Sequence, residues 1–148
     1  MPETQGVDPK LYDKEYFESI DGAQYFAENK TAPKFIYAVN ISGLTTGESA
    51  LDIGCGRGDL MMALAQIGAD VTGIDYSQEA LDIVQKALAK QTAEWKHRIK
   101  VLHSAATALN FSGQTFDYVF MTDIVEHLYP SELQKCFEEC KRVLNPGG

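Results

Sequence analysis

Apolar residues recur along this chain at two alternating periods. Ser49 to Ile53 predicts a short buried strand. Leu60 to Ile67 carries a continuous apolar face at helical spacing. Val71 to Ile74 predicts a second strand ending at Asp75, and Ile99 to His103 a third. Phe116 to Met121 predicts a fourth, nearly continuous in apolar residues as a central parallel strand is. Between these runs Ser77 caps a helix whose Ala80, Leu81, Val84, Ala87 and Leu88 share one face and which ends near Gln91. Trp95 to Arg98 reads as a polar connection with one packing aromatic. A last helix opens at Ser131, with Gln134 three residues on in a capping-box pattern. Its buried side is marked by Leu133, Phe137, Cys140 and Leu144, and Asn145-Pro146-Gly147-Gly148 ends it.

Ahead of the first strand, Thr31 is the expected N-cap of a helix with Pro33 in its first turn and Phe35, Ile36, Val39 and Ile41 available for burial. Ser42-Gly43 closes that helix, and Thr45-Thr46-Gly47 turns into the strand. Residues 1–8 are polar and read as disordered. From Leu11 the chain turns aromatic, with Tyr12, Tyr16, Phe17, Tyr25 and Phe26 among acids and lysines. One or two short helices packing an aromatic face on the domain are expected, which sets residues 1–30 apart as an arm from a domain at 31–148.

Composition narrows the partners. The chain has 148 residues, 45% of them hydrophobic and 23% charged, ordinary for one globular domain. A net charge of −8 excludes a broad nucleic-acid surface, which needs clustered Lys and Arg. Lys96-His97-Arg98 is short and reads as a solvated helix end. No apolar run reaches the ~20 residues of a membrane span, and the N-terminus is not a signal peptide. Three cysteines, Cys55, Cys136 and Cys140, suit a reducing, cytoplasmic compartment. Cys136 and Cys140, four apart on a helix, read as two small buried side chains, with a metal pair as the alternative. His103 stands alone and reads as structural.

The candidate chemistry lies at Leu51-Asp52-Ile53-Gly54-Cys55-Gly56-Arg57-Gly58-Asp59-Leu60. Three alternate glycines join strand to helix and strip the turn of Cβ atoms, so a ligand can lie on the main chain beside the free N–H groups of the helix start. The spacing is G-x-G-x-G with an acid two residues ahead, not the G-x-G-x-x-G that seats a dinucleotide pyrophosphate. Asp75 lies 21 residues past Gly54, near the interval at which an acid binds a ribose after such a turn. Tyr76 follows, placed to lie against a base. Thr122 to Leu128 leaves the fourth strand at its carboxyl end, where loops of parallel sheets line ligand crevices.

This arrangement resembles the class I S-adenosylmethionine-dependent methyltransferases along about Lys34 to Gly148. The resemblance rests on the glycine turn, Asp75, Phe-Asp-Tyr-Val at 116–119 and Val-Leu-Asn-Pro-Gly-Gly at 143–148. It implies an α/β fold, a Rossmann-like doubly wound parallel sheet with strand order 3-2-1-4. It implies that Asp52, Gly54, Cys55, Gly56 and Gly58 shape the cofactor's tail and ribose pocket, and that Asp75 holds the ribose. By the same resemblance Tyr76, Ser104, Ala105 and Ala106 flank adenine, Thr122 lies near the methionine portion, and Lys34 faces the cofactor carboxylate. The family usually has an acid where this chain has Ala105, so adenine falls to Ser104 or backbone groups.

Glu126-His127 is similar to the branch that methylates small molecules, including quinone-biosynthesis O-methyltransferases. The resemblance implies O-methylation of a small-molecule acceptor, His127 and Glu126 as catalytic residues, and Asp123, Glu126 and His127 as ligands of Mg²⁺ or another divalent cation. The alternative for the last group is a turn held by hydrogen bonds. The arm becomes a candidate lid over the cofactor. The family sheet has seven strands, so the fourth strand is expected to be covered either by a further C-terminal segment or by a second copy in a homodimer. Competing functions are a non-catalytic S-adenosylmethionine-binding module, a nicotinamide-dependent oxidoreductase and an RNA-end methyltransferase; the glycine spacing disfavours the oxidoreductase and the acidity the RNA enzyme.

Overall fold

The computed structural model describes residues 8–20 and 22–148, so the disorder expected of residues 1–8 lies, but for Asp8, outside the described residues. Four strands, β1 (Ser49–Ile53), β2 (Asp70–Asp75), β3 (Ile99–His103) and β4 (Tyr118–Phe120), form one parallel sheet in the order β3-β2-β1-β4. The crossovers run through α4 (Asp59–Gln66) after β1 and through α5 (Gln78–Ala89) and α6 (Ala93–Arg98) after β2. A helix α3 (Pro33–Ser42) precedes β1, and α7 (Pro130–Val143) follows β4. This is the Rossmann-like order expected. In register, Ile53 lies opposite Ile74, Asp52 opposite both Gly73 and Phe120, and Asp75 opposite His103. The carboxyl ends of β1, β2 and β4 therefore finish close together, and the loops beyond them share one crevice.

Successive residues of a strand point to opposite faces, so each face of the sheet has its own core. On one, Ala50, Val71 and Ile99 pack with Leu60, Met61 and Leu64 of α4 and Phe35 of α3. On the other, Leu51, Ile53 and Ile74 pack with Cys136, Cys140 and Val143 of α7. Full burial of a Leu or Ile side chain is worth about 1.5–3 kcal/mol, which makes these two layers the main support of the crevice. The three cysteines are free thiols, all buried. Cys136 and Cys140 bring their sulfurs to 3.9 and 3.7 Å from Met121 Sδ, as core side chains.

The arm forms a 3-10 turn at Pro9–Leu11 and two short helices, α1 (Lys14–Ser19) and α2 (Ala23–Ala27). Tyr12 and Phe17 are buried and pack with Ala80 of α5.

Several boundaries differ from expectation. Both proline-initiated helices begin at the proline itself. Pro33 and Pro130 force the preceding residue into extended backbone, so Ala32 (ψ 143°) and Tyr129 (ψ 156°) are the caps, not Thr31 and Ser131. At α7 the Glu132 carboxylate, rather than Gln134, accepts from the cap N–H of Tyr129 at 3.0 Å. Trp95 to Arg98 is helical, because Thr92 caps α6 and accepts from Trp95 N–H. Phe137, expected in the core, is 53% exposed, and Ile36 and Ile41 are exposed as well. The buried stripe of α7 is instead Cys136, Cys140 and Val143, one residue off in phase. β4 is shorter than the run at 116–121 because Phe116 turns to the segment after α7. Its N–H donates to Val143 O at 3.0 Å and its carbonyl accepts from Asn145 N–H at 2.7 Å. β4 is also half-buried rather than central: among the described residues it pairs with β1 alone.

Candidate active site

The turn after β1 holds Gly54, Gly56 and Gly58 at φ of +73°, +52° and +83°. Gly54 is required twice over: by that φ, and because a Cβ there would lie 2.9 Å from the Ile124 side chain. The N–H groups of Gly54 and Cys55 donate to Ile74 O at 2.9 and 3.0 Å, which ties the turn to the end of β2.

There each oxygen of the Asp75 carboxylate accepts one backbone N–H and keeps acceptor capacity toward the cavity. One oxygen accepts from Gly56 N–H and the other from Ser77 N–H, both at 2.9 Å. Burial raises its pKa; the Ser77, Gly56 and Tyr76 N–H groups act in the opposite sense. Asp52, 2% exposed at the end of β1, has one oxygen with no hydrogen-bond partner among the described residues. Burial first, then the negative charges of Asp75, Asp123 and Asp59, push its pKa up to about 8. A neutral buried carboxyl with a free acceptor suits a cationic group that would ionise it.

These groups line a cavity of about 90 Å³. Of the residues singled out from sequence, Lys34, Asp52, Gly54, Cys55, Gly56, Asp75, Tyr76, Thr122, Asp123 and His127 lie on its wall. Gly58, Ser104, Ala105, Ala106 and Glu126 do not. Gly58 serves as N-cap of α4, and a Cβ there would press on Val84 at 3.1 Å. The Ser104 hydroxyl folds back on its own turn toward Ala108 O at 3.3 Å. His103 Nε2 pairs with Tyr76 O at 2.9 Å, a structural contact as expected.

The segment after β4 does not gather a metal site. Only Val125–His127 is helical, as one 3-10 turn, so Asp123 lies before the helix and off its face. Asp123 is bound by Lys34 Nζ at 3.0 and 2.9 Å. The His127 ring is held through Nδ1 by the Tyr12 hydroxyl at 2.9 Å, and exposed Glu126 stands 3.9 Å from His127 Nε2. Among the described residues no three His, Cys, Asp or Glu side chains converge as metal ligands. Of the expected Asp123–Glu126–His127 group, Glu126 and His127 stand beside each other while Asp123 pairs with Lys34.

The arm, expected as a candidate lid, contributes four residues to the wall. Tyr12, Tyr16, Phe17 and Ile20 line the cavity. Tyr12 meets Tyr16, Tyr76 and His127 edge-to-face at 4.9, 5.6 and 5.6 Å, and its carbonyl accepts from the Ser77 hydroxyl at 3.0 Å. Burial raises the pKa of all three tyrosines, so they remain protonated near neutral pH. Arg57, buried inside the glycine turn, was legible only as a cation set between two glycines with Asp59 two residues on.

Residues 50–148 match the family model described as a methyltransferase domain. The chain is 30% identical over 102 residues to the ubiquinone biosynthesis O-methyltransferase of Coxiella burnetii, covering 69% of this chain and 41% of that protein. It is 32% identical over 146 residues to the demethylmenaquinone methyltransferase of Bacillus licheniformis, covering 97% and 58%. The chain thus spans about half the length of these curated relatives. The structure of Haemonchus contortus phosphoethanolamine N-methyltransferase 2 in complex with S-adenosyl-L-methionine superposes with a TM-score of 0.69 at 29% identity, covering 78% of this chain and 26% of that one. With its glycine turn, sheet order and a family match that begins inside β1 and runs to Gly148, this chain belongs to the class I S-adenosylmethionine-dependent methyltransferase-domain family.

Proposed function

We propose that the crevice binds S-adenosylmethionine and that the protein transfers its methyl group to a small-molecule acceptor, at oxygen. The observation that supports this best is the pairing of Gly56 N–H with the Asp75 carboxylate at the mouth of a glycine turn that also buries the unpartnered Asp52 oxygen. S-adenosylmethionine, when bound, supplies a methyl group on a positively charged sulfur. Asp75 offers its carboxylate to the ribose hydroxyls. Asp52 offers a counter-charge to the cationic part, giving up its proton as it does so. Gly54 and Gly56 let the ligand approach the main chain, and Thr122 borders the same wall. Positioning of donor and acceptor supplies several kcal/mol of the rate enhancement.

His127 takes the proton of the acceptor hydroxyl in this reading. For Nε2 to act as base, Nδ1 must carry the hydrogen and donate it to the Tyr12 oxygen 2.9 Å away. With the arm docked, the Tyr12 hydroxyl can serve either tautomer, as acceptor or as donor. A metal has no part in the proposal: Asp123 pairs with Lys34, and Glu126 and His127 stand beside each other with Tyr12 on the far side of the ring.

The acceptor's class is taken from the quinone-biosynthesis relatives, and three free thiols support a reducing, cytoplasmic setting. No helix among the described residues is long and apolar enough to cross a membrane. Two measurements test the proposal. Calorimetry is expected to show binding of S-adenosylmethionine and S-adenosylhomocysteine but not NAD; no sulfur-ligand binding at millimolar concentration would reject it. Labelled methyl transfer to a phenol panel then separates an enzyme from a binding module.

A further inference from the structure

The cleft is pinned shut at two points, and one of them uses a residue with no part in the chemistry above. Arg57 stands between Gly56 and Gly58, 5% exposed. Its Nη1 donates to Phe17 O in the last turn of α1 at 2.8 Å, a carbonyl left without a partner inside the helix. Its Nε donates to Asp59 at 3.1 Å, and its guanidinium lies 5.3 Å from the ring centroid of Phe26 in α2. Across the cleft, the Tyr12 hydroxyl meets His127. Between these two anchors the Tyr12 and Tyr16 side chains help reduce the cavity to about 90 Å³. Sites for drug-sized ligands hold roughly 300–1,000 Å³. With the arm docked, that space is narrow for a nucleoside with an amino-acid tail.

We propose that Arg57 is a latch: it holds the arm in a self-occluding position that competes with the cofactor for the cleft. The chemistry favours a reversible contact. Asp59 is only two residues away and stays with Arg57 whether or not the arm is docked, so release exposes a paired charge and not a stranded one. At Arg57 the arm loses one charge-assisted hydrogen bond and one aromatic face, beside the Tyr12 contacts with His127 and Ser77. The glycine turn that would receive the cofactor is thus the same turn that grips the arm. This inference rests on the reading of the cleft as an S-adenosylmethionine site.

The test uses the full chain with Arg57→Lys, which keeps the charge beside Asp59 but shortens the reach to Phe17 O. Phe26→Ala, which leaves the glycine turn untouched, is the second variant. Hydrogen exchange of the arm without ligand and calorimetry with S-adenosylhomocysteine are measured for each. Both variants are expected to exchange arm amides faster and to bind roughly three- to tenfold tighter. That is the gain from freeing a cleft closed in about two thirds to nine tenths of molecules. Unchanged arm exchange in both variants overturns the latch, and so does faster exchange with unchanged or weaker binding. If wild type binds and the variants bind worse, the latch fails while the cofactor site stands. If no form binds although the arm is released, the cofactor site fails and the competition with it.

Discussion

At Asp75 both carboxylate oxygens accept backbone N–H groups from elements that flank the cleft, so one side chain shapes the turn and faces the cavity at once. Hydrogen bonds to a charged group are worth about 1.5–3 kcal/mol, and every 1.4 kcal/mol is tenfold in affinity. Asp75→Ala is therefore expected to weaken S-adenosylhomocysteine binding at least tenfold by calorimetry. Asp52 carries a pH dependence. Folding raises its pKa from 3.8 to about 8, so the folded state has its full advantage below pH 3.8 and loses it as pH climbs toward 8. Asp59 and Asp75 shift in the same direction, also through burial. The melting temperature is expected to fall between pH 5 and pH 8, and less steeply in Asp52→Asn, as read by thermal denaturation. A slope in Asp52→Asn as steep as in wild type would contradict that assignment.

Among the elements, β2 and β4 show how side chains outside the cavity hold it in place. Gly73, in mid-strand, leaves the space that α4 and the glycine turn occupy: a Cβ there would come within 2.6 Å of Met61 Cε and 2.9 Å of Cys55 Cβ. Gly73→Ala overpacks that contact and is expected to cost about 1–3 kcal/mol in urea unfolding. Asp117, just before β4, accepts from the Ser49 N–H and hydroxyl at 2.9 Å and from Asn145 Nδ2 at 2.7 Å. It sews the start of β1 to the segment after α7. Its Ser49 and Asn145 bonds lower its pKa, so this support is complete above its ordinary range and fades as pH falls through it. Asp117→Ala is expected to cost about 1–2 kcal/mol, checked the same way. Arg142 of α7 does a similar service for the loop after β3. It donates to Phe111 O at 2.6 Å and Leu109 O at 2.8 Å while pairing with Glu139.

For the whole molecule, ligand binding and stability are linked. A ligand at 100 times its Kd adds about 2.7 kcal/mol to a fold that it binds only when native. For a chain of this size that raises the melting temperature by roughly 5–10 °C. S-adenosylhomocysteine is expected to do this and NAD not; equal shifts from both would point to a general nucleotide site. The sheet's β4 edge, half-buried and paired on one side among the described residues, adjoins a molecule whose α3 exposes Ile36, Tyr37 and Ile41. Edges of that kind are surfaces that other segments or chains cover.

Local signals sufficed for much of this protein. Apolar runs marked all four strands, glycines marked the turn that bends after β1, and the interval to Asp75 placed an acid at the tip of β2, because these properties depend on neighbours a few residues apart. Proline-set helix starts were readable too, from the restriction on the preceding residue, although Thr31 and Ser131 drew the cap one or two positions away. Tertiary structure alone decided what depends on distant partners. Phe137 is exposed because α7 meets the sheet along Cys136, Cys140 and Val143. Asp123 pairs with Lys34, a partner 89 residues away in the chain. Tyr12 and Arg57 take part in the cleft only because the arm folds across it, bringing together groups 115 and 40 residues apart. Periodicity carries no information about such pairs, since their proximity is set by how whole elements pack.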